Sequence, residues 1–285
     1  MDRDLSPAEF ERFRDLAYEL AGISYPREKL ALLSNRIKTR LRASHTATYD
    51  AYLTLLKSSA GTRELQGFLD AVTTNETYFY RCPRHWQLFR EWAQRRLADG
   101  KARREGLRIW SAASSNGAEA YTIAIVLREL LGANFGGVPV QILGTDLSQH
   151  ILEEARAGQF TAHAVAQVPQ VELARYFAKT GDEQFSVLPE LQRVVKFAPH
   201  NLMQVLRGHP PFDCIFLRNV MIYFDPPTKQ KVLENVHAVC KPGGILFVGE
   251  AESLIHLTQP FRYVAPSLFE RPTAPATPAP APVRS

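Results

Sequence analysis

From residue 107 onward, short apolar runs alternate with segments of helical pattern, and this alternation limits most strongly what the chain can fold into. The apolar runs predict strands at 107–113, 140–147, 194–197, 212–217 and 244–249. Helices are predicted between them near 121–131, 148–157 and 228–239. Such alternation is typical of a mainly parallel sheet with helices on both faces. The sequence therefore predicts an α/β domain over 107–271, which ends in a hairpin of 261–264 and 268–271 at a sheet edge.

Residues 158–193 interrupt this pattern and predict a small inserted subdomain between the second and third strands. Within it, 173–177 has a helical pattern, whereas 184–188 and 193–197 predict a hairpin around Pro189-Glu190. At the other end of the domain, 272–285 consists mainly of Pro, Ala and Thr. We expect that tail to be extended and disordered.

The first 72 residues carry helical patterns and no strand pattern. Ser6-Pro7-Ala8-Glu9 combines an N-cap, a proline at the first helical position and an acid at the third, which is typical of a helix start. Further helices are predicted near 29–43, 49–56 and 64–72. We therefore predict an all-helical N-terminal domain over 1–72, followed by a linker and interdomain helix over 73–106.

Composition excludes several classes of protein. Of the 285 residues, 45% are hydrophobic, which is enough for a sizeable core. No apolar run approaches the ~18 residues that cross a bilayer, and the N-terminus lacks the layout of a secretory signal. The cysteines are too few and too scattered for a disulfide framework, which favours a reducing cytoplasmic location: Cys82, Cys214 and Cys240. A net charge of +5 permits an acidic partner without indicating nucleic acid.

The loop after the first strand, 114–119, reads S-S-N-G-A-E and leads into a helix. Because open α/β sheets bind ligands at the carboxyl ends of their strands, its backbone N–H groups are placed to meet a ligand at a positive helix end. The loop has neither the dinucleotide nor the nucleoside triphosphate glycine spacing, so those ligands are not supported. An ordinary strand-to-helix turn is an equally good interpretation.

Polar residues also follow the next three strands. Asp146 can accept hydrogen bonds from ribose hydroxyls, the alternative being an N-cap for the next helix. Asn201 can recognise an adenine edge or merely occupy a turn, while Arg218 and Asn219 close an otherwise apolar strand, where such groups need a partner. Together these positions describe a nucleoside cofactor without a pyrophosphate, and S-adenosylmethionine is the commonest of these.

One more string, T-T-N-E-T-Y-F-Y-R at 73–81, precedes the sheet domain. It groups aromatic side chains, an arginine and several small donors. On pattern alone, a linker with an aromatic anchor that packs on the sheet domain is slightly favoured over a binding site.

Together these strings resemble the CheR-type methyltransferases, which methylate glutamates on bacterial chemotaxis receptors. The string at 73–81 resembles T-T-N-x-T-x-F-x-R, and 109–121 resembles the family's W-S-A-x-x-S-x-G-E-E-P-Y-S loop. Thr145-Asp146, Asn201-Leu202, 218–224 and 249–253 follow in the family's order, so the resemblance covers nearly everything from 5 to 271. It departs at 118–122, where A-E-A-Y-T replaces E-E-P-Y-S.

The resemblance implies a Rossmann-like methyltransferase domain that uses S-adenosylmethionine, releases S-adenosylhomocysteine and forms glutamate methyl esters in chemotaxis adaptation. It places these residues around the cofactor: Asn75, Thr77, Arg81, Glu119, Asp146, Asn201, Leu202, Asn219 and Val220. Arg81 and Tyr223 would lie nearest the reacting atoms as catalytic residues. A glutamate, with an ordinary pKa of about 4.3, is already ionised at neutral pH and needs no base.

The helical domain would then dock the partner, the cytoplasmic helical domain of a chemoreceptor. Lys29, Arg36 and Arg40 lie within about 40° of one another on one helix, and a basic face there complements a Glu-rich receptor helix. A solvated helix face is the alternative. We expect a monomer, no nucleic acid, no membrane insertion and, because the inserted subdomain is short, no tethering of a receptor tail peptide.

Two other functions stay open on the sequence. A methyltransferase for nucleic acid or a small molecule is weakly indicated, since Asp225-Pro226-Pro227 is followed by Thr228 where a base-flipping site has an aromatic residue. An S-adenosylmethionine-binding scaffold with little turnover is supported only by the altered loop at 116–122.

Overall fold

The computed structural model describes residues 3–252, 254, 257–258 and 260–273. Its α-helices are α1 (Pro7–Ala21), α2 (Leu30–Ala43), α3 (Tyr49–Leu56), α4 (Thr62–Val72), α5 (Pro83–Ala98), α6 (Gly100–Glu105), α7 (Ala118–Leu131), α8 (Gln149–Ala157), α9 (Ala162–Val165), α10 (Gln170–Tyr176), α11 (Pro189–Gln192) and α12 (Pro226–Val239). Its strands are β1 (Leu107–Ala112), β2 (Val140–Asp146), β3 (Gln159–Thr161), β4 (Phe177–Lys179), β5 (Gln184–Val187), β6 (Val195–Pro199), β7 (Phe212–Leu217), β8 (Cys240–Val248), β9 (Arg262–Ala265) and β10 (Leu268–Glu270).

The predicted start of α1 is confirmed. Ser6 accepts a hydrogen bond from the Glu9 backbone N–H, Glu9 accepts one from the Ser6 N–H, and Pro7 occupies the first helical position. The apolar face of α1 packs on α3 and α4, where Phe13 lies 6.1–6.4 Å from the rings around it: Tyr49, Tyr52 and Phe68. Burial of these aromatic side chains stabilises the helical region, since each is worth about 1.5–3 kcal/mol.

The main sheet has seven strands in the order β6-β2-β1-β7-β8-β10-β9. The first five are parallel, whereas β10 pairs antiparallel with both β8 and β9, so the predicted α/β sheet and its terminal hairpin are confirmed. Because β1 lies between β2 and β7, the loops after these three strands meet at one edge of the sheet.

Alternate residues of the strands pack on opposite faces. Trp110 and Leu217 join a core with α1–α4 and α12, while Ile109 and Phe216 join one with α5 and α7. We expected an interdomain helix within 73–106, and the long helix there, α5, packs on the sheet, where the Trp86 ring stacks 5.5 Å from Phe216. The aromatic side chains of α5 supply enough apolar surface to cover the sheet.

The inserted residues form a second, three-stranded antiparallel sheet in the order β3-β5-β4. The helical pattern around 173 is confirmed by α10. The predicted hairpin of 184–188 and 193–197 is wrong, because Pro189 begins α11 and β6 joins the main sheet beside β2. Proline at the first helical position favours that helix over a two-strand turn.

Most of the predicted disordered tail, 274–285, lies outside the described residues. Among the helices that the structure describes, none is both long and apolar enough to traverse a bilayer.

Candidate active site

A cavity at the carboxyl ends of β1, β2 and β7 brings together residues from distant parts of the chain, and we call it the central cavity. Seven of the nine predicted cofactor residues line it: Asn75, Thr77, Arg81, Glu119, Asp146, Asn219 and Val220. Its other walls include Tyr78, Trp86, Ala113, Ser114, Ser115 and Arg218.

The string at 73–81 forms one wall of the central cavity, and contacts with the inserted subdomain hold it in place. The buried Phe79 ring lies 4.7 Å from Phe160 and 5.1 Å from Phe177, both in edge-to-face contact, and its N–H donates to the Ala164 carbonyl at 3.0 Å. The hydroxyl of Tyr80 donates to Glu172. The predicted aromatic anchor is thus confirmed, and it fixes the string to the inserted three-stranded sheet.

Arg81 lines the central cavity at the end of this anchored string. Its carbonyl accepts hydrogen bonds from Arg218 Nη2 at 2.6 Å and from Trp86 Nε1 at 2.9 Å, so its backbone is fixed by two donors. The Arg81 side chain is half-buried. Its Nη1 donates to the Glu76 carbonyl at 3.0 Å, and the guanidinium lies 5.8 Å from the Tyr78 ring centre. A planar guanidinium in this position suits a carboxylate.

An ion pair between Glu119 and Arg218 lies at the floor of the central cavity. Glu119 enters from the first turn of α7, and its Oε2 accepts from Arg218 Nη1 at 2.9 Å while Oε1 accepts from Ser111 Oγ at 2.7 Å. Burial raises the pKa of Glu119, and Arg218 and Ser111 oppose that rise. A positively charged ligand group beside Glu119 would further stabilise the carboxylate.

Asp146 ends β2 with a carboxylate that is buried at the cavity wall. Its Oδ2 accepts from the Ser115 N–H at 2.9 Å and its Oδ1 from the Ser148 N–H at 3.0 Å. Burial raises its pKa, which these backbone N–H groups counteract. The alternative of an N-cap is wrong, because Ser148 caps α8. The carboxylate is fixed, and each oxygen keeps lone pairs for a ligand hydroxyl.

Strained backbone surrounds the central cavity. Five non-glycine residues there have φ between 52° and 60°, the left-handed region that such residues rarely adopt: Tyr80, Cys82, Ala113, Ser115 and Asn219. Each costs of order 1–3 kcal/mol, and such strain clusters at functional sites. Sequence patterns give no signal for it, since none of these residues is glycine.

Two buried polar atoms of the cavity lining, Ser114 Oγ and Arg218 Nε, lack a hydrogen-bond partner in the described part of the chain. Buried polar atoms are rarely left unpaired, so a polar ligand fits here. Two carboxylates for hydroxyl and ammonium groups suit S-adenosylmethionine, and the Arg81 guanidinium suits the carboxylate of an acceptor.

Glu252 was missed as a functional residue. It is buried, and its Oε2 accepts from the N–H groups of Gly249 at 2.6 Å and Asn219 at 2.9 Å, while Oε1 accepts from the Met221 N–H at 2.7 Å. A Cβ on Gly249 would lie 2.6 Å from Glu252 Oε2, which explains the glycine. The 249–253 string held the only signal, and its last residue lies outside the described residues.

Two predicted cofactor residues do not line the central cavity. Asn201 Nδ2 donates to the Leu20 carbonyl at 2.7 Å, while its Oδ1 accepts from the Met203 N–H at 3.0 Å. Leu202 is buried in the core shared with α1–α4. That both surround the cofactor stays a prediction, and in this structure the amide ties the helical region to the loop after β6.

Tyr223 lies beside the central cavity and not in its lining. It lines a neighbouring depression, which we call the Tyr223 groove, with Tyr25, Lys29, Leu32 and Arg36, and this groove shares Thr74 and Asn75 with the central cavity. Arg81 and Tyr223 therefore lie in adjoining depressions.

The predicted basic docking face of α2 is mostly engaged within the molecule. Arg40 makes two hydrogen bonds to Glu64, at 2.7 and 2.9 Å, and Arg36 Nη1 donates to the Val72 carbonyl at 2.8 Å. Neither residue is a merely solvated cation, and a docking role for them stays a prediction. Lys29 alone of the three is exposed, with its Nζ 5.8 Å from the Tyr223 ring centre.

Residues 75–268 match the family described as CheR methyltransferase, SAM binding domain, and 8–73 match the CheR methyltransferase all-alpha domain. The chain is 38% identical over 262 residues to the chemotaxis protein methyltransferase of Escherichia coli, covering 90% of this chain and 88% of that protein. It is 36% identical to chemotaxis protein methyltransferase 2 of Pseudomonas aeruginosa, covering 92% of each. A relative in Borreliella burgdorferi is 30% identical, covering 94% of this chain and 95% of that protein.

Proposed function

This chain belongs to the CheR methyltransferase family and is an S-adenosylmethionine-dependent methyltransferase of chemotaxis, and on that premise we propose that it methylates glutamate side chains of chemoreceptors. The supporting observation is that Arg81, Glu119 and Asp146, from three separate segments, line one cavity. The products would be a glutamate methyl ester and S-adenosylhomocysteine.

The chain would hold the cofactor from both ends. Asp146 would accept hydrogen bonds from the ribose hydroxyls, Glu119 would face the ammonium of the methionine part, and Ser114 Oγ would gain the partner that it lacks. When bound, S-adenosylmethionine supplies an electrophilic methyl group on a sulfonium. A cationic ligand would favour the ionised form of both carboxylates and so offset the burial that raises their pKa values.

Arg81 and Tyr223 would act on the acceptor carboxylate. A glutamate is ionised at neutral pH, so the task is to hold the anion in line with the methyl group and to exclude water. Arg81 would pair with one carboxylate oxygen and leave the other free to attack. Tyr223 would orient the incoming side chain from its groove, because Thr74 and Asn75 are common to both depressions.

The receptor would approach over the Tyr223 groove, where Lys29 is exposed and the apolar Leu32 is 41% exposed. Ile222, which precedes Tyr223 in the chain, is 48% exposed. One cation beside apolar surface fits an amphipathic helix with an acidic face. We propose the cytoplasmic helical domain of a chemoreceptor as the partner, a cytoplasmic location and a monomeric enzyme.

Transfer of labelled methyl from S-adenosylmethionine to a chemoreceptor cytoplasmic fragment tests this proposal, with an alkaline wash to hydrolyse esters. We expect base-labile label that is lost in Arg81→Ala and kept in Arg84→Ala, an exposed arginine of α5 outside the central cavity. Base-stable label would point to another nucleophile. Cofactor binding without transfer to any receptor fragment would contradict the proposal and favour the scaffold alternative.

A further inference from the structure

One face of the sheet is covered by α1–α4 only at the carboxyl-terminal halves of its strands. On the same face, the amino-terminal halves of β1, β2 and β6 carry polar side chains. Arg108 and Gln141 are direct register partners, and Lys196 lies opposite Leu143. Their strand neighbours Ile109 and Ile142 point to the other face and are buried. Parallel strands covered on both faces are near-continuously apolar, so these aligned polar residues indicate a part of the sheet with no layer over it.

A groove of about 210 Å³ lies over this part of the sheet. Its apolar lining includes the exposed Pro210 and the half-buried Val194, and its rim carries Arg193, Lys196 and His209. A second depression adjoins it through His209 and adds Arg207 and Lys231. No Asp or Glu is found among the described residues that line the two depressions, so we treat them as one surface and call it the basic groove.

Among the described residues, the cations of the basic groove lack the carboxylate partners that several other cations have. Arg40, Arg128 and Arg175, for example, each pair with a carboxylate. By contrast, Arg193, Lys196, Arg207 and Lys231 are exposed and have no ion pair with any residue that the structure describes. Unpaired charges of one sign around an apolar lining attract the opposite charge.

We propose that the basic groove docks an acidic, amphipathic segment of a partner protein. Apolar side chains of that segment would pack on Pro210 and Val194, and its carboxylates would pair with Arg193 and Lys196. The C-terminal tail does not fit, because 274–285 contains no acidic residue and includes Arg284.

Nucleic acid fits less well than a protein segment. Non-specific single-strand binding uses exposed aromatic rings for stacking, whereas Phe212, the one Phe, Tyr or Trp among the described lining residues, is 3% exposed. The basic groove lies at the amino ends of the strands and the central cavity at their carboxyl ends, roughly 20 Å apart along a seven-residue strand such as β2. A partner there would leave the cofactor site open.

Fluorescence anisotropy with a labelled helical peptide of about five turns, with Leu on one face and Glu on the other, tests this proposal. The full chain is compared with Arg193→Glu/Lys196→Glu and with the control Lys57→Glu/Arg63→Glu, which reverses two exposed cations outside the groove. We expect the groove variant to bind about tenfold more weakly, as for two lost ion pairs, and the control to match the wild type.

Equal weakening in both variants would overturn the proposal, because net charge alone would then explain binding. Equal affinity for a peptide with scrambled Leu and Glu, tighter binding of a single-stranded oligonucleotide, or no binding at all would also overturn it. S-adenosylmethionine affinity and melting temperature check that each variant folds. If the reversal variant does not fold, Arg193→Gln/Lys196→Gln replaces it, with about threefold weaker binding expected.

Discussion

The central cavity and the Tyr223 groove share a wall but are built differently. In the central cavity, the buried Arg218 is hydrogen-bonded to the mostly buried Glu119, and backbone N–H groups fix Asp146. In the Tyr223 groove, Lys29 and Leu32 are exposed. A rigid set of partners suits one small molecule of fixed shape, whereas exposed side chains can adapt to a protein surface. We therefore expect substitutions in the cavity to affect stability and chemistry, and substitutions in the groove to affect only the partner.

The largest effect should come from breaking the buried ion pair under the cavity. Arg218→Met leaves Glu119 buried without its cation, so the free energy of unfolding should fall by about 3–5 kcal/mol. Urea unfolding measures the loss. Adding Glu119→Gln should recover part of it, and no recovery would mean that Arg218 acts through Trp86 and the Arg81 carbonyl instead.

Lowering the pH should reduce the free energy of unfolding through protonation of His85. Burial lowers the pKa of His85 to about 4, with Arg218 and Arg84 contributing. As the pH falls, His85 is protonated in the unfolded chain before it is protonated in the folded one. Its contribution to the free energy of unfolding should therefore fall by about 3 kcal/mol between about pH 6.5 and pH 4. Below pH 4 this contribution should stay level. Unfolding of His85→Leu should lack this component, and an unchanged pH profile would contradict the assignment.

Turnover should depend on Arg81 more than cofactor binding does. Arg81→Ala removes the guanidinium that we assign to the acceptor carboxylate, so kcat should fall about 10²-fold. Steady-state rates give kcat, and calorimetry gives the cofactor Kd, which should change much less. A cofactor Kd raised as strongly as kcat is lowered would move Arg81 to the cofactor side.

The anchor behind the string at 73–81 should have a smaller effect on the same chemistry. Tyr80→Phe removes the hydroxyl that donates to Glu172 and should cost about 1 kcal/mol of stability. If the anchor positions Arg81, kcat should fall severalfold while the KM for the receptor fragment is kept. A loss of stability without any change in kcat would leave Tyr80 a purely structural residue.

The smallest expected effect belongs to the groove. Lys29→Ala removes an exposed cation, which is worth about 0.5–1 kcal/mol toward an acidic helix, so the receptor KM should rise two- to fivefold at low salt. Repeating the measurement in high salt should erase the difference. Lys57→Ala, an exposed cation outside the groove, should leave the KM unchanged.

Local patterns in the sequence predict most of the fold and much of the central cavity. The capping box of α1 and the strand-helix alternation are set by neighbouring residues. Asp146 and the loop at 114–119 could be placed because loops after adjacent parallel strands must meet, whereas the role of Glu119 came from the family resemblance. The predicted hairpin around Pro189-Glu190 is wrong because β5 pairs with β3 and β4. Residues close to β5 in the sequence do not determine which strands it pairs with.

The role of α2 shows a second limit. A helical projection places Lys29, Arg36 and Arg40 on one face, but it cannot show that Glu64 and the Val72 carbonyl lie against two of them. Arg218 ends an apolar strand, which signals a buried partner without naming Glu119, 99 residues away. Partners brought together by tertiary packing decide whether a charge faces solvent or another residue.

The most direct test of the division between cavity and groove is a two-substrate steady-state titration of Asp146→Asn and Lys29→Glu. We expect each substitution to affect one substrate: Asp146→Asn should raise only the KM for S-adenosylmethionine, and Lys29→Glu only the KM for the receptor fragment. If both substitutions raise the same KM, the two depressions are not separate sites and the proposed assignment of residues is wrong.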